Sequence, residues 1–287
     1  MSKLSEPLKA FINSPHARPN TATAPKHIIS VYEKIANDAR AKKVGLPAWL
    51  SISTAATMTM NSPESLLQLY GLAVSSKHGG HAVHSAELMR EVGLKCVGFN
   101  GVPRVINSLG AFYAGLPAEI QAELAKRKPR RNLNRENINA TLQRGNDLWD
   151  SIYRPFSTKL SAKLAQSHPD LPVHIIESEY GALFSDPTSP NPDLPNVGRV
   201  LTSIVGVACL RSQTGVGPQV VSHIFGLRKA FEDGSAETDV EGGQWLASNE
   251  GSLWLLEQVD SIVEAISGHG GNFAPGLQAG KPLKSKL

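Results

Sequence analysis

Nine histidines and two cysteines are the side chains of this sequence best suited to moving protons or electrons near neutral pH. Two of the histidines stand in comparable settings. His84, in HAVHSAELMREVG, and His223, in VVSHIFGLRKAFEDG, each follow a glycine-rich break, fall in the first turns of an amphipathic stretch and lead on to a glycine. An imidazole so placed could act as a general acid or base. His78, His81 and His84 are three residues apart. Gly79 and Gly80 interrupt them and no carboxylate stands among them, so no metal site is expected. Cys96 and Cys209 are far apart and form no CxxC pair, which argues against a disulfide framework and a cysteine-built zinc site. Cys209 lies in an apolar run where a thiol serves as a small hydrophobe, whereas Cys96 follows Lys95 and could be activated by it. Ser285, Lys286 and Leu287 supply a small residue, a base and a hydrophobe behind a Gly- and Pro-rich tail. This is the address read by the peroxisomal targeting receptor, so a peroxisomal matrix location is expected.

The elements that must hold these residues read as helices. Apolar residues recur at helical spacing through His27–Ala41, through the segment opened by Ser62-Pro63-Glu64, and through both histidine-bearing stretches. Ser62 reads as a cap, Pro63 as the first helical residue and Gly93 as a C-cap. VGRVLTSIVGVACLRSQ is nearly all apolar and belongs in the core. No run alternates with period two and no hairpin dipeptide separates two apolar runs, so the fold class is all-α. The expected organisation is an N-terminal arm over 1–26, a first half over 27–125, a solvated basic linker over 126–135, a second half over 136–270 and a flexible tail over 271–287. The proline-rich loop Ser185–Asn196 is long enough to cover a site.

Composition sets outer limits. The chain has 287 residues with 41% hydrophobic and 19% charged, the balance of a folded protein. A formal charge of +4 is too modest for a dedicated nucleic-acid binder, and the basic run AKRKPRRNLNR has no interleaved aromatics. No apolar run approaches the ~18 residues of a membrane span, so neither nucleic-acid binding nor membrane insertion is expected.

RGNDLWDSIYRP followed by GRVLTSIVGVACLRSQTGVGPQVVSHIFGLRKA resembles the carboxymuconolactone decarboxylase and alkylhydroperoxidase AhpD-like family. The first half, with PESLLQLYGLA and GVPRVINSLGAF, resembles the divergent half of fungal peroxisomal members, and the likeness covers roughly residues 45 to 266. It implies tandem helical repeats packed as one unit, association into a homo-oligomer, and no cofactor. Peroxidatic members use C-x-x-C-x-x-x-H. The matching positions here are Lys77 and Gly80 before His84, and Val216 and Gln219 before His223, so dithiol chemistry does not carry over. The decarboxylase branch needs a cation for a substrate carboxylate and an acid or base at the neighbouring carbon. The resemblance therefore implies His223 and His84 as proton-transfer groups and Arg199 as the anchor, with His81 and Arg104 as substrate-binding residues. Three functions remain open: a cofactor-free lyase or isomerase on a small carboxylated metabolite, an oligomeric scaffold without catalysis, or an antioxidant protein without the dithiol.

Overall fold

A computed structural model describes residues 3–187, 194–213, 215–236 and 240–268. The tail, with Ser285, Lys286 and Leu287, and half of the Ser185–Asn196 loop lie outside the described residues. The chain opens with α1 (Glu6–Ile12) and a 3-10 turn (Pro15–Ala17), then α2 (Ile28–Ala41), α3 (Leu46–Thr59) and α4 (Pro63–Ala73). After Gly79-Gly80 come α5 (Ala82–Lys95), α6 (Val97–Asn100), α7 (Val102–Gly115) and α8 (Ala118–Ala125). The basic stretch leads to α9 (Ile138–Tyr153), α10 (Ser157–Ser167) and α11 (Asp170–Val173), which continues as a π-helix (His174–Phe184). The last elements are α12 (Arg199–Ser212), α13 (Gly217–Glu232), α14 (Gly243–Leu246) and α15 (Asn249–Ser267). Among the described residues there is no strand, and no helix is long and apolar enough to cross a membrane. The all-helical class read from the sequence holds.

Helices α3 and α12 pack on each other at the centre and are buried on nearly every side. A helix enclosed all round must be small or apolar, and a buried hydroxyl is costly unless bonded; Ser51, Ser53 and Thr54 of α3 have no partner among the described residues, while others do. Thr59 Oγ1 and Ser212 Oγ donate to the carbonyls four residues back, at 2.8 and 2.7 Å, and Tyr32 Oη lies 2.6 Å from Thr57 Oγ1. Trp49, Leu50, Ile52 and Met58 supply the bulk of α3, each stabilising the fold by roughly 1.5–3 kcal/mol through burial. A single hydrophobic core runs from Ile28 to Ala265 and draws on both expected halves.

A smaller second cluster, Trp149, Ile152, Tyr180 and Phe184, lies between α9 and the π-helix. Those two elements meet backbone to backbone. A Cβ on Gly145 would stand 2.5 Å from the carbonyl oxygen of Ile176 and 2.8 Å from Gly181. Only glycine allows that approach. The wide turn of the π-helix replaces the ordinary helix that the sequence suggests over this segment.

Three local readings need correction. Gly93 lies inside α5 rather than capping it, because a side chain there would reach within 3 Å of Leu109 and Met58. Ser62 bonds the hydroxyl of Ser65 at 2.8 Å instead of a backbone N–H. Within the N-terminal arm α1 is helical with nothing buried, and Ala22 N and Ala24 N donate to Asn61 O and Glu64 Oε2. The arm is therefore stitched to the start of α4.

Candidate functional site

Arg199, the first residue of α12, is 8% exposed and faces inward. Its Nε donates to Ser151 Oγ at 2.9 Å, its Nη1 to Ser203 Oγ and its Nη2 to Gly226 O at 2.7 Å. One guanidinium thus ties α9, α12 and α13 together. His223, the seventh residue of α13, sits in the notch left by Gly206, where a Cβ would stand 2.5 Å from its Nδ1. Phe99 closes the other side edge-on, 5.5 Å between ring centres. Burial, and then the Arg199 charge, push the His223 pKa down to about 4, so the ring is neutral at pH 7. Its Nδ1 is buried without a hydrogen-bond partner.

The first-half candidates are elsewhere. His84 is the third residue of α5 and exposed, since the buried face of that helix carries Ala86, Leu88, Met89 and Val92. His84 is the third residue of α5 and His223 the seventh of α13, and each helix buries the face its own neighbours cover, so the matching settings in sequence do not give matching burial. His81 is the exposed N-cap residue of α5, accepting from His84 N at 3.5 Å. Arg104 donates to Thr59 O at 2.9 Å, closing the C-terminal end of α3. His78 packs edge-on against Trp49. Among the described residues no cluster of His, Cys, Asp and Glu is placed to hold a metal ion.

The cysteines meet. Cys96 Sγ and Cys209 Sγ are 3.5 Å apart, both fully buried between α5 and α12. Hydrogen bonding to Cys209 and burial push the Cys96 thiol well up, so it is not the activated thiol its neighbour Lys95 suggests. Lys95 turns away, fully buried. Its Nζ donates to Phe184 O at 2.6 Å, Thr202 Oγ1 at 2.8 Å and Asp186 Oδ1 at 2.9 Å. Asp186 Oδ2 in turn accepts from Gly198 N at 2.7 Å, at the start of α12. This ion pair staples α5 to the end of the π-helix. Burial pulls the Lys95 pKa down, against the opposing pull of Asp186.

Two cavities meet beside this staple. The inner one, about 280 Å³, lies between α9 and the start of α12 and is walled by Asp147, Ser151, Asp186, Arg199 and Thr202. The outer one, about 490 Å³, is walled by Lys126, Arg127, Lys128, Arg130, Arg131 and Arg144. Arg144 and Ser185 belong to both. No carboxylate lines the outer cavity among the described residues. Its basic segment is held from beneath by two carboxylates one turn apart on α5. Glu87 accepts from Arg127 Nε at 2.6 Å, and Glu91 accepts from Arg130 Nη2 at 3.3 Å and from both Nη atoms of Arg131. Within the expected solvated linker over 126–135, Arg127, Arg130 and Arg131 are half-buried and the other seven residues are exposed. The arginine side chains at 130 and 131 are only 18% exposed, because those carboxylates draw them down.

Arg144 differs from its neighbours. Its Nε donates to Ser185 Oγ at 3.4 Å and its Nη2 to Thr141 Oγ1 at 3.1 Å, and its partners among the described residues are hydroxyls alone. Arg144 Nη1, Arg130 Nη1 and Arg131 Nε are all buried without a partner. A buried guanidinium N–H with nothing to bond is costly, and an anion removes the cost. The sequence reading missed Arg144 and the walls of this cavity. The signal available was Glu87 and Glu91 four residues apart on one helix, ahead of a run of bases with too few acids nearby. No protein-family model, no curated protein and no solved structure matches the chain.

Proposed function

We propose that the chain is a cofactor-free lyase or isomerase acting on a small carboxylated metabolite, in the manner of the carboxymuconolactone decarboxylase and AhpD-like family it resembles. The observation that carries this reading is Arg144, set where the two cavities join, with a buried N–H unspent and hydroxyls as its hydrogen-bond partners among the described residues. A substrate carboxylate fits that guanidinium in place of the missing partner. The substrate body would fill the inner cavity. There Asp147, exposed on the cavity wall, is placed to move a proton, and Arg199 and the neutral His223 position the walls rather than react. Peroxisomal import through Ser285, Lys286 and Leu287 belongs to the same proposal. So does association of copies, for which Val221 and Phe225, one turn apart on α13, offer apolar surface more than half exposed.

The test is turnover across a panel of small carboxylated lactones, followed by proton NMR, for the parent, Arg144→Gln and Asp147→Asn. The proposal expects Arg144→Gln to raise KM and Asp147→Asn to lower kcat. Equal turnover in all three proteins would refute it.

A second reading has its own support. Lys95, Asp186 and Arg199 spend hydrogen-bonding groups on the protein itself, as the struts of a non-catalytic scaffold would. A folded, self-associating protein that turns over no member of the panel would favour it.

A further inference from the structure

The outer cavity holds more positive charge than a single carboxylate uses. Among the described residues it is lined by Lys126, Arg127, Lys128, Arg130, Arg131 and Arg144, and the carboxylates paired with them are Glu87, Glu91 and Glu123, six cations to three carboxylates. None of the three carboxylates lines the outer cavity, so the excess faces its interior. We infer that this cavity binds the pyrophosphate group of a small soluble ligand, with Arg130 and Arg131 as its principal donors. The inference deepens the proposed function and rests on it for the anion-binding cleft. It adds a second recognition group, on the handle of the ligand, to the carboxylate held at Arg144.

Chemistry and shape favour this ligand over other anions. A guanidinium presents a planar fork of N–H groups that matches adjacent phosphate oxygens, and two such forks side by side match two linked phosphates. Arg130 Nη1 and Arg131 Nε are buried, unpartnered and on neighbouring residues, so their spacing is fixed by the backbone and by Glu91 beneath them. Three to four negative charges on pyrophosphate answer an excess of that size. The cavity volume of about 490 Å³ lies in the ordinary range for small-molecule sites. A nucleic-acid strand would call for an open track with aromatic rings on which bases stack, and no aromatic residue lines the cavity among the described residues.

Isothermal titration calorimetry with inorganic pyrophosphate at low salt, on the full chain, tests the inference. The parent is expected to bind one equivalent saturably and more weakly as salt is raised. The double variant Arg130→Lys, Arg131→Lys keeps charge partners for Glu91 but removes the forks, and should weaken binding by about tenfold or more. Arg211→Gln, whose parent side chain pairs with Asp260, is the control and should bind as the parent does. Failure of the parent to bind pyrophosphate, or equal binding by the double variant, overturns the inference. So does a single-stranded oligoribonucleotide that binds the parent and is not displaced by pyrophosphate. The two proposals fail separately. Pyrophosphate binding without turnover on the carboxylate panel leaves this site standing and removes the reaction. Turnover that depends on Arg144, without pyrophosphate binding, does the reverse.

Discussion

Replacing His223 by leucine should remove a specific part of the acid sensitivity of the fold. In the folded chain the imidazole has a pKa of about 4, against 6.5 when exposed. Between those values the unfolded chain binds a proton that the native chain does not, so stability falls as pH falls from 6.5 toward 4 and then levels off. With these two values the loss is about 1.4 kcal/mol at pH 5.5 and about 2.5 kcal/mol at pH 4.5, relative to pH 7.5. The leucine variant lacks the titrating group and should lose less by those amounts. At pH 7.5 it should match the parent or exceed it by up to about 1 kcal/mol, since the parent buries Nδ1 without a partner. Urea unfolding of both proteins at the three pH values measures the difference, and NMR titration of the imidazole checks its assignment directly. Parallel pH curves for the two proteins would refute the reasoning. They would mean that the ring is solvated or has the same pKa in both states. A constant offset between the curves would reflect packing against Gly206 alone and does not affect the test.

Lys95→Met should destabilise the fold by about 3 kcal/mol, the low end for breaking a buried ion pair, because Asp186 is 20% exposed and keeps its bond from Gly198 N. Adding Asp186→Asn should restore much of that loss in denaturant titrations, and a double variant no better than the single one would count against the staple. Gly145→Ala should destabilise despite alanine's better helix propensity, since the new methyl meets backbone of the π-helix. Gly110→Ala, with open space around it on α7, should stabilise by about 0.5–1 kcal/mol, and thermal melts of the two variants should shift in opposite directions. Iodoacetamide should label Cys96 and Cys209 only in denaturant, both being fully buried; labelling of the native protein would show that the core opens there. A fluorescent fusion ending in Ser285, Lys286 and Leu287 should enter peroxisomes and stay cytosolic when Leu287 is removed, and punctate localisation without Leu287 would refute the signal.

The helices were legible because their apolar spacing is local, and Val200–Leu210 is buried throughout, as its composition requires. What stayed hidden was decided between distant segments. Gly93 looks like a helix cap in sequence, and only the crowding of Met58 and Leu109 shows why a glycine stands inside the last turn of α5. The cysteines are 113 residues apart yet meet across α5 and α12. The run 126–135 looks solvated by composition and is mostly exposed, but Arg127, Arg130 and Arg131 are drawn down by two carboxylates of α5 aligned beneath them. His84 and His223 look equivalent because both follow glycines, but what packs on each helix decides the outcome: α13 presses His223 into the notch at Gly206, and α5 leaves His84 exposed.

The same contrast bears on where to look for function. His223 and Arg199 have the residue types that catalysis favours, and the fold uses Arg199 to hold three helices together while sealing His223 as a neutral core ring. Residue type therefore fails to separate a reacting group from a strut in this protein. Unspent hydrogen-bonding capacity on a residue that lines a cavity separates them better, since His223 Nδ1 is also without a partner but His223 lines neither cavity. By that measure Arg199 is a strut, with each of its nitrogens donating to the protein. Arg144, Arg130 and Arg131 line one cavity that no carboxylate lines among the described residues, and each has a buried nitrogen without a partner. Hydroxyl partners on Arg144 neither neutralise it nor use its last N–H, so a ligand anion is the group that completes it. The residues that carry the proposals thus lie in a stretch whose sequence reads as a linker and on the helix that follows it.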